Sequence, residues 1–335
     1  MFNLAKEHKE EAIAMRDAHC NALIIEAEKN PAILSVDADV MNSLGTLRFH
    51  QRFPKRGINC GIQEANAVGV SAGLSIMGYV PFFHTFSVFA TRRVYDQAFL
   101  SCGYNGANVK IIGGDAGVTT AVNGGTHMPF EDMGIMRNIP GMTVLEPSDS
   151  TMLKCLVPQM ADQYGNFFMR MCRKNVIKIY EEKSRFEIGK AVVVKDGEDV
   201  TIIANGIMVY EALKAHKILK AQRIFARVID MFTIKPIDKE CIVESAKKTG
   251  CIVTVENHNI INGLGSAVAE VLGENCPVPL ERHGIHDQFG EVGSQEYLME
   301  RFKLNADEIC KYVYKAIERK KHSFRGVGAN ENSSN

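Results

Sequence analysis

Hydrophobic and polar positions along this chain alternate between two rhythms. Apolar residues return at helical spacing from Ile13 through Ala18, Ala22 and Leu23 to Ile25, and the pattern stops at Asn30-Pro31, ahead of the apolar run AILSVDADV. Short apolar runs recur at 79–83, 109–112, 143–145 and 167–171, with helical stretches between them such as 151–161. Strands alternating with helices predict a parallel sheet covered on both faces. A charged stretch over 174–190 reads as a connection. A second alternating series follows: AVVVKDGEDVTIIANG, a helix over 210–221, a strand over 225–229, a helix over 239–248 and the strand CIVTVE. It ends with a helix after Gly265, a strand near 278–281, and helices over 295–302 and 306–317. The predicted fold is α/β with two domains, residues 1–182 and 190–320, each a mostly parallel sheet flanked by helices. The polar tail 321–335 is expected to be disordered.

Composition narrows the class. A chain of 335 residues with 46% hydrophobic positions can fill two ordinary cores. Lys+Arg and Asp+Glu are equal at 39 each, which argues against a nucleic-acid-binding surface. No apolar run is long enough for a membrane span, and the first thirty residues are too charged for a secretory signal, so a cytoplasmic location is expected. Nine cysteines are scattered without CxxC pairs or metal-ligand spacing, as for buried thiols in a reducing compartment.

Candidate chemistry concentrates in residues 61–97. Glu64 opens a helical segment rich in small residues (Ala65, Ala67, Gly69, Ala72, Gly73), which lets another backbone or subunit approach closely. A carboxylate at such an interface loses water, favouring a partner with which it shares a proton. Phe86 and Phe89, just beyond an apolar strand, offer a stacking surface within reach. Together they suit a flat, protonatable heterocycle; the competing reading is a helix start beside core aromatics.

With the segments GIQEANAVGVSAG, TFSVFATRRVYDQ, GGTHMPFEDMGIMRNIPGMTVLEPSD and ENHNIINGLGSAVAEVL, in that order, residues 16–317 resemble the carboxyl-terminal half of transketolase: its pyrimidine-binding domain and its final domain. The resemblance implies thiamine diphosphate as cofactor. Glu64 matches the glutamate that hydrogen-bonds the aminopyrimidine, and Phe86 and Phe89 match aromatic residues lining its pocket. Such a carboxyl exchanges a proton with the pyrimidine nitrogen and so activates the cofactor. His127, after a glycine pair in a loop, matches the histidine that contacts the donor sugar near its carbonyl and can donate to a developing oxyanion.

The family holds the diphosphate through a metal, bound by a GDG motif with an asparagine roughly 25 to 30 residues on. This chain has no GDG motif, so no metal ligand is assigned to it. The resemblance therefore implies one subunit of a split transketolase. An amino-terminal partner would bring the diphosphate site and a divalent metal, magnesium being expected. The pair would self-associate, as a heterotetramer, and the isolated chain would be inactive.

Two departures bear on the sugar. Asp115 stands where many transketolases have a histidine for the acceptor phosphate, and Asn123 where they have an aspartate reading a donor hydroxyl. An aspartate would repel a phosphate unless its neighbours turn it away. Met128 also makes the pocket less polar, so an unusual or partly deoxygenated sugar fits. Arg170 and Arg173 are candidates for a phosphate, sulfonate or carboxylate, Arg173 matching the family's phosphate-binding arginine more closely. Arg92 and Arg93 are considered for ligand or partner contact. Glu131-Asp132 reads as a helix start, His258, His283 and His286 as core or interface residues, and 263–265 as a packing turn. Ketol transfer between sugars is the expected activity. The rivals are the beta subunit of a 2-oxoacid dehydrogenase, an enzyme like deoxyxylulose-phosphate synthase, and a non-catalytic assembly subunit.

Overall fold

The structure, a computed structural model, describes residues 2–325. In the first half the strands are β1 (Ile33–Asp37), β2 (Gly57–Asn59), β3 (Val80–Phe86), β4 (Lys110–Gly114), β5 (Thr143–Leu145) and β6 (Phe167–Met171). The second half supplies β7 (Val192–Lys195), β8 (Val200–Ala204), β9 (Ala226–Asp230), β10 (Thr233–Lys235), β11 (Ile252–Asn259) and β12 (Leu280–Ile285). They form a seven-stranded sheet in the order β10-β5-β6-β4-β3-β1-β2 and a five-stranded one in the order β12-β11-β8-β9-β7. All pairings are parallel except β10 with β5 and β7 with β9. The α/β class with two mostly parallel sheets thus stands.

The central strands β1, β4 and β6 are buried at every position, as expected for parallel strands covered on both faces. Each fully buried Ile, Val or Phe there contributes about 1.5–3 kcal/mol. The two halves are fastened together. Strand β10, three residues long and unread in the sequence, leaves the second half to pair with β5, Thr233 facing Leu145. Ile203, Ile229 and Met231 pack in one core with Met133, Met136 and Val144.

Several boundaries differ for physical reasons. The first helix spans Met15–Lys29 and buries Met15, Ala18, His19, Ala22, Leu23 and Glu26, whereas Ile13 and Ile25, counted in the apolar stripe, are exposed. The strand expected near 278–281 begins later, at Leu280, because Pro277 and Pro279 lack an N–H; the Pro279 carbonyl instead accepts from the Ile252 N–H. The last helix, Ala306–Arg325, takes in residues 321–325, which composition assigns to a disordered tail. Its apolar stripe buries Ile309, Val313 and Ala316, and Lys320 Nζ donates to the carbonyls of Asp199 and Thr249. The rest of that tail, 326–335, lies outside the described residues. Five of the nine cysteines are buried, and Cys60, Cys155, Cys241 and Cys276 are half-buried. Among the described residues no helix is long and apolar enough to cross a membrane.

A buried polar cluster joins the halves. Arg170 on β6 lies 3.2 Å (Nε) from Asp132 and 3.7 Å (Nη1) from Glu146, and donates to the Asn257 carbonyl at 3.0 Å. Burial pushes Glu146 up to about 7, Arg170 opposing, and Asn205 Nδ2 donates to it. Gly206, at φ 53°, follows Asn205; a Cβ there would collide with Glu146 Oε1. Because that carboxylate is fixed by Asn205, it cannot step aside. Gly206→Ala should therefore cost about 2 kcal/mol or more in chemical denaturation, through both the left-handed backbone and the clash. A loss under about 0.5 kcal/mol would mean the cluster yields easily.

Candidate active site

The carboxyl ends of β3, β4 and β6 lie side by side, with Phe86 in register with Gly114 and Gly114 with Met171. Ligands of open α/β sheets collect at such ends. Two glycines make this edge compact. A Cβ on Gly113 would fall 2.7 Å from Ser87 Oγ, and one on Gly114 would fall 2.8 Å from Leu44 Cδ1 and 3.3 Å from Arg173 Cγ. The chain then turns at Asp115, whose φ is 66°.

The expected residues converge here, with one exception. Phe86 ends β3 and Phe89 sits one turn on, their ring centroids 6.2 Å apart and nearly perpendicular. The His127 ring lies edge-on to both, 5.2 Å from Phe89 and 6.3 Å from Phe86. On one side of this aromatic group, Glu64 opens the helix Glu64–Ile76, its carboxylate nearly buried, with Oε1 2.7 Å from Arg93 Nη1. The Arg93 guanidinium lies 3.7 Å from the Phe89 ring centroid. On the other side, Arg173 stands 5.0 Å from the Phe86 centroid and donates through Nε to Asp115 Oδ1 at 2.7 Å. Asn123, exposed at the end of a 3-10 turn, donates to Asp115 Oδ2 at 3.3 Å.

Asp115 is 1% exposed and faces Arg173. Burial raises its pKa while the Arg173 hydrogen bond pulls the other way. Its carboxylate is paired with the Arg173 guanidinium, which offsets the negative charge an aspartate would otherwise present to a substrate anion. Arg170 is the exception, and its expected place as an anion ligand is corrected. It is 0% exposed and committed to Asp132, Glu146 and the Asn257 carbonyl, because its side chain leaves β6 on the face toward the second half. Arg173, two residues past the strand end, has escaped that face.

The loop carrying His127 is clamped from above. A Cβ on Gly124 would meet Val292 Cγ2 at 2.7 Å, and one on Gly125 would collide with the Gly290 carbonyl, so both glycines admit a loop of the second half. From below, Arg92 Nε pairs with Glu131 at 2.9 Å and Nη2 donates to the Thr126 carbonyl. Asp132 accepts from Ser87 Oγ. His258 and His283 are buried, and burial lowers both to about 4. The turn 263–265 closes on the Glu256 carboxylate, which accepts from the N–H groups of Leu264 and Gly265 at 2.7 and 2.9 Å. Among the described residues no three His, Cys, Asp or Glu side chains group as a metal site.

Sequence reasoning considered Arg93 for ligand or partner contact without linking it to Glu64 and Phe89, and it missed the packing role of Gly113-Gly114. Phe89 and Arg93 are four apart, a spacing that could have been noticed, but the helix between them ends at Thr91. Beyond the site, the small-residue helix presents Gly69 and Gly73 with nothing within 4 Å of an added Cβ, flanked by exposed Ile62, Ile76 and Met77.

Such a chain is a two-unit α/β protein with a carboxylate, an aromatic face and an arginine converging at the ends of parallel strands. Known proteins make that class specific. The family described as "Transketolase, pyrimidine binding domain" matches residues 11–178, and "Transketolase, C-terminal domain" matches 189–309. The chain belongs to the transketolase family. It is 49% identical to the 6-deoxy-6-sulfo-D-fructose transketolase subunit SqwH of Clostridium sp. (strain MSTE9), over 95% of this chain and 99% of that one. It is 35% identical to an apulose-4-phosphate transketolase subunit of Phocaeicola vulgatus, over 92% and 98%. A solved structure described as a split gene transketolase, inactive beta4 tetramer, superposes with a TM-score of 0.85 at 42% identity, covering 92% of this chain and 100% of that one. The recognition from residues therefore stands, and the family implies thiamine diphosphate.

Proposed function

We propose that this chain is the C-terminal subunit of a split, thiamine-diphosphate-dependent transketolase that moves a two-carbon ketol unit between sugars, together with an N-terminal partner. One observation carries the reading: a nearly buried carboxylate, Glu64, sits beside the half-open face of Phe89, and a flat hydrogen-bond donor already fills the space between them. An acceptor beside an aromatic face fits an aminopyrimidine. Thiamine diphosphate, when bound, supplies the electron sink that lets the bond beside a ketose carbonyl break. Glu64 would share a proton with the ring nitrogen, while Phe86 and Phe89 exclude water from that hydrogen bond. His127, held by Thr126 Oγ1 at Nδ1 (2.9 Å), would present Nε2 to the ketose oxygen. Asp115 and Asn123 would brace Arg173, whose terminal nitrogens remain for an anion at the far end of the sugar. The relative at 49% identity, which is named for a sulfosugar, supports a ketose ending in sulfonate.

The partner would bring the diphosphate and divalent metal ligands. Residues 1–182 and 190–320 would be the pyrimidine-binding and C-terminal domains. The open glycine face of helix Glu64–Ile76 would receive a second copy, giving a heterotetramer. The test is to co-purify the chain with its partner and supply thiamine diphosphate, magnesium, 6-deoxy-6-sulfo-D-fructose and an aldose phosphate. Ketol transfer by the pair, with none from either subunit alone, is expected. Pyruvate-dependent acyl transfer to lipoamide, or no ketol transfer from any ketose, would overturn the reading.

A further inference from the structure

The Arg93 contact has the geometry of an occupant. A guanidinium is planar, delocalised and a fork of N–H donors, the features by which an aminopyrimidine stacks on an aromatic ring and donates to a carboxylate. Arg93 does both at once, with Cζ 3.7 Å from the Phe89 centroid and Nη1 2.7 Å from Glu64 Oε1. We propose that Arg93 is a positioning residue that stands in for the cofactor's aminopyrimidine, keeping Glu64 aimed across the Phe89 face until the ring arrives and then withdrawing. This rests on the cofactor reading above.

Three observations support displacement over permanent pairing. Glu64 is 4% exposed, so with the slot empty its carboxylate would be desolvated and unpaired, a costly state that the guanidinium relieves. The Arg93 side chain is 46% exposed, so it reaches from solvent and can return there. Among the described residues its guanidinium has Glu64 as its one ion-pair partner, whereas neighbouring Arg92 is tied to Glu131 and the Thr126 carbonyl. One face of Phe89 cannot carry both a guanidinium and a heterocycle. A guanidinium that stayed on Glu64 would also occupy the carboxylate oxygen that the ring's donor needs.

A competitor that must leave weakens apparent binding, and removing it restores affinity. The test is calorimetric titration of thiamine diphosphate into the two-subunit complex, comparing wild type with Arg93→Ala and Arg93→Gln. A half-exposed ion pair sets the scale, so Arg93→Ala should bind about fivefold more tightly. Arg93→Gln, which keeps a shorter planar donor, should fall between. A crystal of the loaded wild-type complex should show the guanidinium off the Phe89 face. Unchanged or weaker binding in Arg93→Ala, or a guanidinium still stacked on Phe89 in the loaded crystal, overturns the proposal while leaving the cofactor reading intact. A wild-type complex that takes up no thiamine diphosphate, or a Glu64→Gln variant with unaltered affinity and an unaltered near-ultraviolet dichroism of the bound cofactor, overturns the cofactor reading and this proposal with it.

Discussion

Glu64→Ala should lower kcat of the two-subunit enzyme about 1,000-fold or more at saturating thiamine diphosphate, while the chain still folds and still binds its partner. The size follows from the chemistry: positioned proton transfer contributes about 100- to 10,000-fold, and Glu64 is the carboxylate joined through Arg93 to the Phe89 face. Helix Glu64–Ile76 should survive, because its buried face is made by Ala67, Val68, Ser71 and Ala72 and the substituted position is its first residue. Arg93, half-exposed, would lose its partner and turn to water at little cost. Glu64→Gln separates the parts of the role, since an amide can still hydrogen-bond the ring but cannot exchange a proton with it. It should retain more cofactor affinity than Glu64→Ala yet be nearly as slow. Ketol-transfer assays beside gel filtration would measure both, and a Glu64→Ala complex keeping more than a tenth of wild-type kcat would remove Glu64 from the chemistry.

How far the sequence revealed this site depended on whether each signal was local. Short apolar runs and period-3.6 patterning exposed most strands and helices, because parallel strands covered on both faces, such as 167–171, are buried at every position and therefore mostly apolar. Strand β10 escaped, being three residues whose partner lies 88 positions away at Leu145, a pairing no window of sequence contains. Glu64, Phe86, Phe89 and His127 were legible because they stand in short segments that bear the family's pattern. Arg170 and Arg173 share one segment and one chemistry, and what separates them is that β6 ends at Met171, between the two. Asp115 looked like an obstacle to an anionic substrate until the fold showed which way it points. Arg93 was named only as a ligand or partner contact for the same reason: its partners Glu64 and Phe89 belong to different elements, and their convergence is a tertiary fact.

The direction of Asp115 leads to the second large effect. Arg173→Ala should reduce kcat/KM for a ketose ending in sulfonate or phosphate about 100-fold, mostly through KM, while barely altering a ketose with a neutral tail. A charge-assisted hydrogen bond is worth about 1.5–3 kcal/mol, and a guanidinium offers two such bonds to a tetrahedral anion. Arg173 is prepared for that work. Its Nε is spent on Asp115 Oδ1 and its plane rests near Phe86, so the side chain is fixed before any substrate arrives; among the described residues its two terminal nitrogens carry no hydrogen bond. Asp115 gives up charge to fix direction. Asp115→Asn keeps an acceptor for Nε and removes the competing anion, so the loss should be small, under about tenfold. Asp115→Leu frees the guanidinium to wander and should approach the Arg173→Ala value. Steady-state kinetics on a charged and a neutral donor measure these contrasts together. Equal losses on both donors in Arg173→Ala would place the anion's grip elsewhere and reduce Arg173 to a brace for Asp115.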